Sequence, residues 1–174
     1  MTILICYSSS EGHTRKIVQE IADQQSDADI QIVDLSDTSN WLDPVMFDKV
    51  LIGASIHYGK FRPMVHQYVK QYESKLNQIP SAFLGVCLTA RKPGKDEPDN
   101  SVYMRKFAQG HQWTPQLRAM FAGALRYSVY NWWQTKLIQM IMKITGGSTD
   151  KSKDVEFTNW QKVSEFAKQF DQLS

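Results

Sequence analysis

Residues 5–17, ICYSSSEGHTRKI, pass from apolar to hydroxylated to amphipathic within one short stretch. Ser8, Ser9, Ser10 and Thr14 offer hydroxyl donors around Gly12, where a backbone without Cβ can approach a ligand closely. If a helix starts here, its free amides favour an anion. The stretch has neither the G-x-G-x-x-G of a dinucleotide site nor the G-x-x-x-x-G-K-[ST] of an NTPase loop. Hydroxyls without a lysine therefore suit a phosphate monoester that is held and not transferred, and a serine-rich capped turn would use the same residues. Glu11 fits only if its carboxylate turns to solvent. A cysteine-phosphatase loop, C-x5-R, would need arginine six positions after Cys6, where Gly12 stands instead.

Two further stretches carry chemistry. ASIHYGKF (54–61) contains Ser55, His57, Tyr58 and Gly59, an aromatic pair beside a flexible backbone. LTARKPGKDEPDN (88–100) concentrates Arg91, Lys92 and Lys95, which suit carboxylate recognition. Asp96, Glu97 and Asp99 in the same loop allow a plainer reading, a solvated and self-balanced turn. His66 and His111 read as surface groups and not ligands.

The elements that must position these residues are legible as alternation. Strand-like runs occupy 2–7, 30–35, 49–56, 82–89 and 118–125, and all but the second are almost wholly apolar, as strands buried on both faces should be. Helical stripes follow: Ile17, Val18 and Ile21; Val65, Tyr68, Val69, Tyr72 and Leu76. Asn100 or Ser101 is the expected cap of a third helix, and Thr158 or Asn159 of the last. The pattern predicts one α/β domain over 1–174, a doubly wound five-stranded parallel sheet of order 2-1-3-4-5. The hydroxyl-rich loop then lies at the sheet's carboxyl edge.

One stretch breaks the alternation. An insertion over 127–157, at the fifth strand, is long for a connection inside a compact domain. Within it a helix at about 131–145 groups Trp133, Leu137, Met140, Ile141 and Ile144, widened by Trp132 and Met142, with Lys136 and Lys143 seven apart. Over 126–153, five cations against Asp150 alone give +4. Tryptophans, aliphatics and lysines on one amphipathic helix suit an anionic membrane surface. Packing on the domain and self-association as a homo-oligomer would also bury that stripe.

Composition narrows the rest. A net charge of +2, without a basic run or RNP-like sequence, argues against nucleic acid. Cys6 and Cys87 sit in buried strands, so no metal site and no disulfide framework is expected. The start MTILICYS lacks a basic n-region, no apolar run reaches 18 residues, and the expected address is cytoplasmic.

The order Tyr7, Ser9, Gly12, Thr14 after a strand resembles the FMN phosphate loop of the flavodoxin family. VLIGASIHYGKF, IPSAFLGVCLTARKP, YMRKF, FAGALRY and IMKITGGSTD, spread in order over nearly the whole chain, are similar to the bacterial flavodoxin-like protoporphyrinogen oxidases, the quinone-linked dehydrogenases of haem synthesis. Cys6 and Val18 depart from that family's usual residues in ways that touch packing more than phosphate contact.

The resemblance implies FMN bound by residues 8–14 (Ser8, Ser9, Ser10, Glu11, Gly12, His13 and Thr14), by Ser55, His57, Tyr58 and Gly59, and by Leu88, Thr89, Ala90 and Arg91. It implies removal of six electrons from protoporphyrinogen IX in three two-electron rounds, with a membrane quinone, commonly menaquinone, as acceptor. Arg91, Lys92, Lys95, Arg126 and Tyr127 become candidates for the substrate's propionates. Trp132, Trp133, Lys136, Met140 and Lys143 become candidates for peripheral contact with the cytoplasmic face of the inner membrane and its quinone. No catalytic side chain is named, since no acid–base pair is visible. An electron-carrying flavodoxin or an NAD(P)H:quinone reductase on the same fold is the alternative, although a carrier is usually acidic and this chain carries TARKPGK. A flavin-free, membrane-associating module is a third reading.

Overall fold

The computed structural model describes residues 1–125, 132–145 and 154–174. Strands β1 (Thr2–Ser8), β2 (Asp29–Asp34), β3 (Lys49–His57), β4 (Lys60–Phe61), β5 (Ser81–Val86) and β6 (Leu117–Phe121) form one sheet, and β7 (Ala124–Leu125) pairs antiparallel with β8 (Val155–Glu156). The helices are α1 (His13–Asp23), α2 (Pro63–Leu76), α3 (Val102–Gln109), α4 (Trp132–Thr145) and α5 (Trp160–Asp171). The parallel strands run β2-β1-β3-β5-β6, with β4 folded back on β3. Counting the long strands alone, this is the expected 2-1-3-4-5 order.

Strand alternation sends successive side chains to opposite faces, so each face has its own core. Ile3, Ile5, Leu51 and Leu84 pack under α1 and α5, against Ile17, Ile21, Phe166 and Phe170. Leu4, Cys6, Ile52 and Phe83 pack under α2 and α3, against Val65, Tyr68 and Phe107. Burying each large side chain contributes about 1.5–3 kcal/mol. Lys49 lies buried at the start of β3. Its ammonium donates to the carbonyls of Phe170 (2.8 Å) and Asp171 (2.9 Å) and so closes the C-terminus of α5.

Three local expectations need correction, and the alternatives left open for the helix caps are resolved. The fourth long strand stops at Val86, because residues 88–91 coil into a 3₁₀ turn. The fifth breaks after Phe121: the Gly123 amide turns to the Cys87 carbonyl (3.4 Å), and residues 124–125 leave the main sheet for β8. Caps fall on Ser101 and Asn159, whose side chains accept from the Met104 and Lys162 amides, while Thr158 is used elsewhere. His66 and His111 are not surface groups. Their rings stack 5.1 Å apart beside Phe107, and the His111 side chain is only 4% exposed.

Candidate functional site

Three carboxyl-edge loops, from β1, β3 and β5, surround a cavity of about 350 Å³. The first is the hydroxyl-rich loop. Gly12 has φ 81°, a left-handed conformation that favours glycine, and it turns the chain directly into α1. The N-cap residue, Gly12, has no side chain to offer the first amides of α1. From the other side, the Arg62 guanidinium donates to the Ser9 carbonyl at 3.3 Å and pins the loop.

Three buried hydroxyls at this edge have no hydrogen-bond partner among the described residues: Ser8 Oγ, Thr14 Oγ1 and Ser55 Oγ. An unanswered buried polar group costs about 1–3 kcal/mol, so each calls for a partner that the folded chain does not supply. Thr14 and Ser55 line the cavity, and Ser8 ends β1 next to Ser9, which lines it too. Orphaned hydroxyls beside an uncapped helix start fit an oxyanion with further hydroxyls attached.

The second loop is a two-residue hairpin. His57 pairs with Lys60, and Tyr58 (φ 49°) and Gly59 (φ 77°) both take left-handed backbone, the geometry of a type I′ turn. The turn holds Tyr58 out at the cavity rim, 63% exposed, with the His57 ring edge-on at 4.2 Å. An apolar ring standing in solvent beside a cavity is a surface that a flat ligand can cover.

The third is the 3₁₀ turn. Leu88 and Thr89 line the cavity, and the Thr89 hydroxyl lies 3.1 Å from the Cys87 thiol. Ala90 is buried away from it. Arg91 folds back onto its own turn, donating to the Leu88 carbonyl (3.0 Å) with its guanidinium 5.6 Å from the Phe157 ring centre. Two of the three carboxylates expected to balance this loop are drawn off elsewhere. Asp96 pairs with Lys162 of α5, and Asp99 with Arg118 of β6 at 3.0 Å. Among the described residues Lys92 and Lys95 form no ion pair, so the loop's cationic character is real.

The structure thus gathers Ser9, Ser10, Glu11, His13, Thr14, Ser55, His57, Tyr58, Gly59, Leu88 and Thr89 at one cavity. Glu11 does not turn fully to solvent; it is half-buried on the wall. Gly12 shapes the turn from its outer side, and Lys92 and Lys95 stand away from the wall.

Sequence reasoning missed Tyr103 of α3 and did not foresee that α4 covers the cavity. Gln134, Leu137 and Ile138 form part of its wall. Their i, i+3, i+4 spacing signalled a helix face but not what that face covers. Met142 packs with Leu125 beside Leu88, Ile138 and Phe157. The expected single stripe therefore divides. Trp132, Met140 and Ile144 remain exposed, with Lys136 and Lys143 on the same open side. The Lys136 ammonium sits 5.3 Å above the Trp132 ring. Arg126, Tyr127 and the side chain of Trp133 lie outside the described residues.

Cys6 can be set aside as a nucleophile: burial pushes its thiol up to about 12, against a weaker effect of the Tyr68 hydrogen bond. Among the described residues, no cluster of three or more His, Cys, Asp or Glu could hold a metal ion. No described helix is long and apolar enough to cross a membrane.

Comparison with known proteins agrees with this geometry. A family model described as a flavodoxin domain matches residues 4–152. A Leishmania major protein named protoporphyrinogen IX dehydrogenase [quinone] is 44% identical over 173 residues, 98% of this chain and 74% of its own length. The protein of the same name from Escherichia coli K12 is 40% identical over 176 residues, 100% of this chain and 97% of its own. Among solved structures, oxidised flavodoxin 1 from Bacillus cereus aligns over the full length of both chains with a TM-score of 0.57 at 14% identity, a likeness of fold alone.

Proposed function

The chain belongs to the flavodoxin family, alongside the quinone-linked protoporphyrinogen IX dehydrogenases, and on that premise we propose that it oxidises protoporphyrinogen IX to protoporphyrin IX, using FMN and delivering the electrons to a quinone. The observation that carries this reading is the set of orphaned hydroxyls, Ser8, Thr14 and Ser55, beside the uncapped start of α1.

Those residues fit FMN. Ser9, Ser10 and Thr14, with the amides that open α1, would hold its phosphate, and Ser55 would answer a ribityl hydroxyl. Tyr58 and His57 on one side and Leu88 and Thr89 on the other would bound its ring. When bound, the flavin supplies two-electron redox chemistry, and three such rounds account for the six electrons removed. The chain's own part is to place, shield and bias. Leu137 and Ile138, on the α4 side of the cavity, would shield a bound substrate from water, and apolar walls suit a macrocycle. Lys92 and Lys95, free of the loop's acids, suit the substrate's propionates as solvent-facing point charges.

We assign the acceptor as menaquinone or a similar lipid quinone, reached at the cytoplasmic face of a membrane. The support is the open side of α4, where Trp132, Met140 and Ile144 stand exposed between Lys136 and Lys143. The test is anaerobic turnover of protoporphyrinogen IX with a menaquinone analogue, with and without FMN. Turnover that requires FMN is expected. No turnover, alongside brisk NADPH oxidation, would replace this reading with a nicotinamide-dependent quinone reductase.

A further inference from the structure

We propose that the Tyr103 hydroxyl donates a hydrogen bond to a ring carbonyl of the bound flavin and thereby raises the flavin's midpoint potential. This rests on the FMN reading above and adds to it a residue of α3 and a direction for the potential.

Tyr103 stands in the first turn of α3, two residues after the Ser101 cap. The helix periodicity around it sets where its ring goes. Met104 and Phe107 are buried in the core under α2 and α3, Val102 is exposed, and Tyr103 is half-buried with its ring packed on that same core. Packing on the core holds the ring in one place, and in that place Tyr103 lines the cavity. A Cβ built on Gly59 would stand 3.9 Å from Tyr103 Cε1. Cε1 is bonded to the carbon that carries the hydroxyl, so the polar end of the ring is the end that meets the hairpin turn. In the FMN reading that turn bounds the flavin ring, while the phosphate belongs to the loop after β1.

The other hydroxyls on the ring's part of the wall have protein partners. The Tyr58 hydroxyl accepts from the Gln134 amide at 3.4 Å, and Thr89 Oγ1 lies 3.1 Å from the Cys87 thiol. Leu88, Leu137 and Ile138 offer only apolar surface. The Tyr103 hydroxyl makes no hydrogen bond among the described residues. A donor held at a cavity wall without a protein partner is free to serve a ligand.

A phenol O–H donates, and the flavin ring presents two carbonyl oxygens, which accept. Reduction of the ring by two electrons increases the negative charge on those oxygens. A hydrogen bond to a charged oxygen is roughly twice as strong as one to a neutral oxygen. The hydroxyl therefore holds the reduced ring more tightly than the oxidised one, which is a rise in midpoint potential. The chain thereby favours electron uptake from the porphyrinogen.

The experiment compares wild type with Tyr103→Phe, which keeps the packed ring and removes only the hydroxyl. Flavin-free full chain is titrated with FMN and with riboflavin by quenching of flavin fluorescence, and the midpoint potential of the FMN-loaded protein is read against a reference dye. Tyr103→Phe should bind FMN and riboflavin more weakly by the same factor, about fivefold, because the two flavins share the ring. The reduced flavin should lose about tenfold more than the oxidised one, which lowers the potential by about 30 mV for a two-electron couple. A variant that merely loosened α3 would weaken both flavin states alike and leave the potential in place, and that result overturns the proposal. Weaker binding of FMN with riboflavin unaffected would put the hydroxyl at the phosphate and overturns it as well. Unchanged affinity and potential with a higher KM for protoporphyrinogen would assign the hydroxyl to the substrate instead. In each of these cases the FMN reading stands. No binding of FMN by wild type overturns that reading itself, and this proposal with it.

Discussion

The Gln134 side-chain amide donates to the Tyr58 hydroxyl across 3.4 Å, so a helix from the last third of the chain meets the hairpin after β3 over one cavity. Leu137 and Ile138 follow one turn later on the same face and line that cavity. If α4 forms the outer wall of the substrate site, Leu137→Glu sets a carboxylate against a dicarboxylate substrate. We expect kcat/KM for protoporphyrinogen to fall about tenfold or more, the effect of about 1.4 kcal/mol or more at the transition state. FMN affinity should stay within about twofold. Steady-state kinetics beside flavin titration separate the two effects. Equal losses in both would mean that α4 supports the flavin site as a whole.

Thr14 allows a test in which stability and binding move apart. Its hydroxyl is buried without a described partner, so Thr14→Val removes an unanswered polar atom from the empty protein. Such a change is neutral or stabilises by up to about 1 kcal/mol. A hydrogen bond to a charged phosphate contributes about 1.5–3 kcal/mol, so the same variant should bind FMN about ten- to a hundredfold more weakly. Thermal melting of the flavin-free protein and fluorescence titration measure both sides. A variant that melts lower and binds FMN normally would show the hydroxyl to be structural.

The sheet and its order were legible because β1, β3 and β5 are buried on both faces and read as nearly continuous apolar runs. The phosphate loop was legible for a related reason. Its hydroxyls and Gly12 are contiguous in sequence, and a β1–α1 turn has only one place to go. What could not be read was anything assembled across the fold. Tyr103 reaches the cavity from α3, and Thr158 serves His13 instead of capping α5. His66 and His111, 45 residues apart, become partners only once α2 and the end of α3 are side by side. The break after Phe121 escaped detection because Ala122 and Gly123 suit a strand as well as they suit its interruption.

The open side of α4 sets a third expectation. Trp132, Met140 and Ile144 are exposed, and Lys136 and Lys143 stand on the same side. Each lysine near an anionic bilayer contributes about 1 kcal/mol of attraction, so Lys136→Glu/Lys143→Glu should lower partition onto acidic vesicles by well over tenfold. Trp132→Ala/Ile144→Ala should weaken sedimentation on acidic and neutral vesicles alike, because it removes apolar area. Sedimentation unchanged in both double variants would remove the membrane assignment. A shift from dimer to monomer in light scattering would instead assign that face to self-association.

The His66–His111–Glu73 chain predicts how the fold responds to acid. His66 Nδ1 lies 2.9 Å from His111 Nε2, and His111 Nδ1 lies 3.3 Å from a Glu73 oxygen that also accepts the Gln112 amide at 2.8 Å. Burial, and secondarily the charge of His111, holds the His66 ring below its ordinary range. The amide bond from Gln112 holds the Glu73 carboxyl below its own, against a smaller opposing effect of burial and with help from Lys70 and His111. In both groups the folded value is depressed. Their stabilisation is therefore full above the unfolded values, about 6.5 for histidine and about 4.3 for glutamate, and is lost as pH falls through the folded ones. The melting temperature should accordingly begin to fall below about pH 6.5, with a second loss below about pH 4.3. His66→Gln, which stays neutral and can still bond to His111, should flatten the first decline and leave the second in place. Calorimetry from about pH 8 to about pH 3 reads both. An identical first decline in wild type and variant would show that another group drives it.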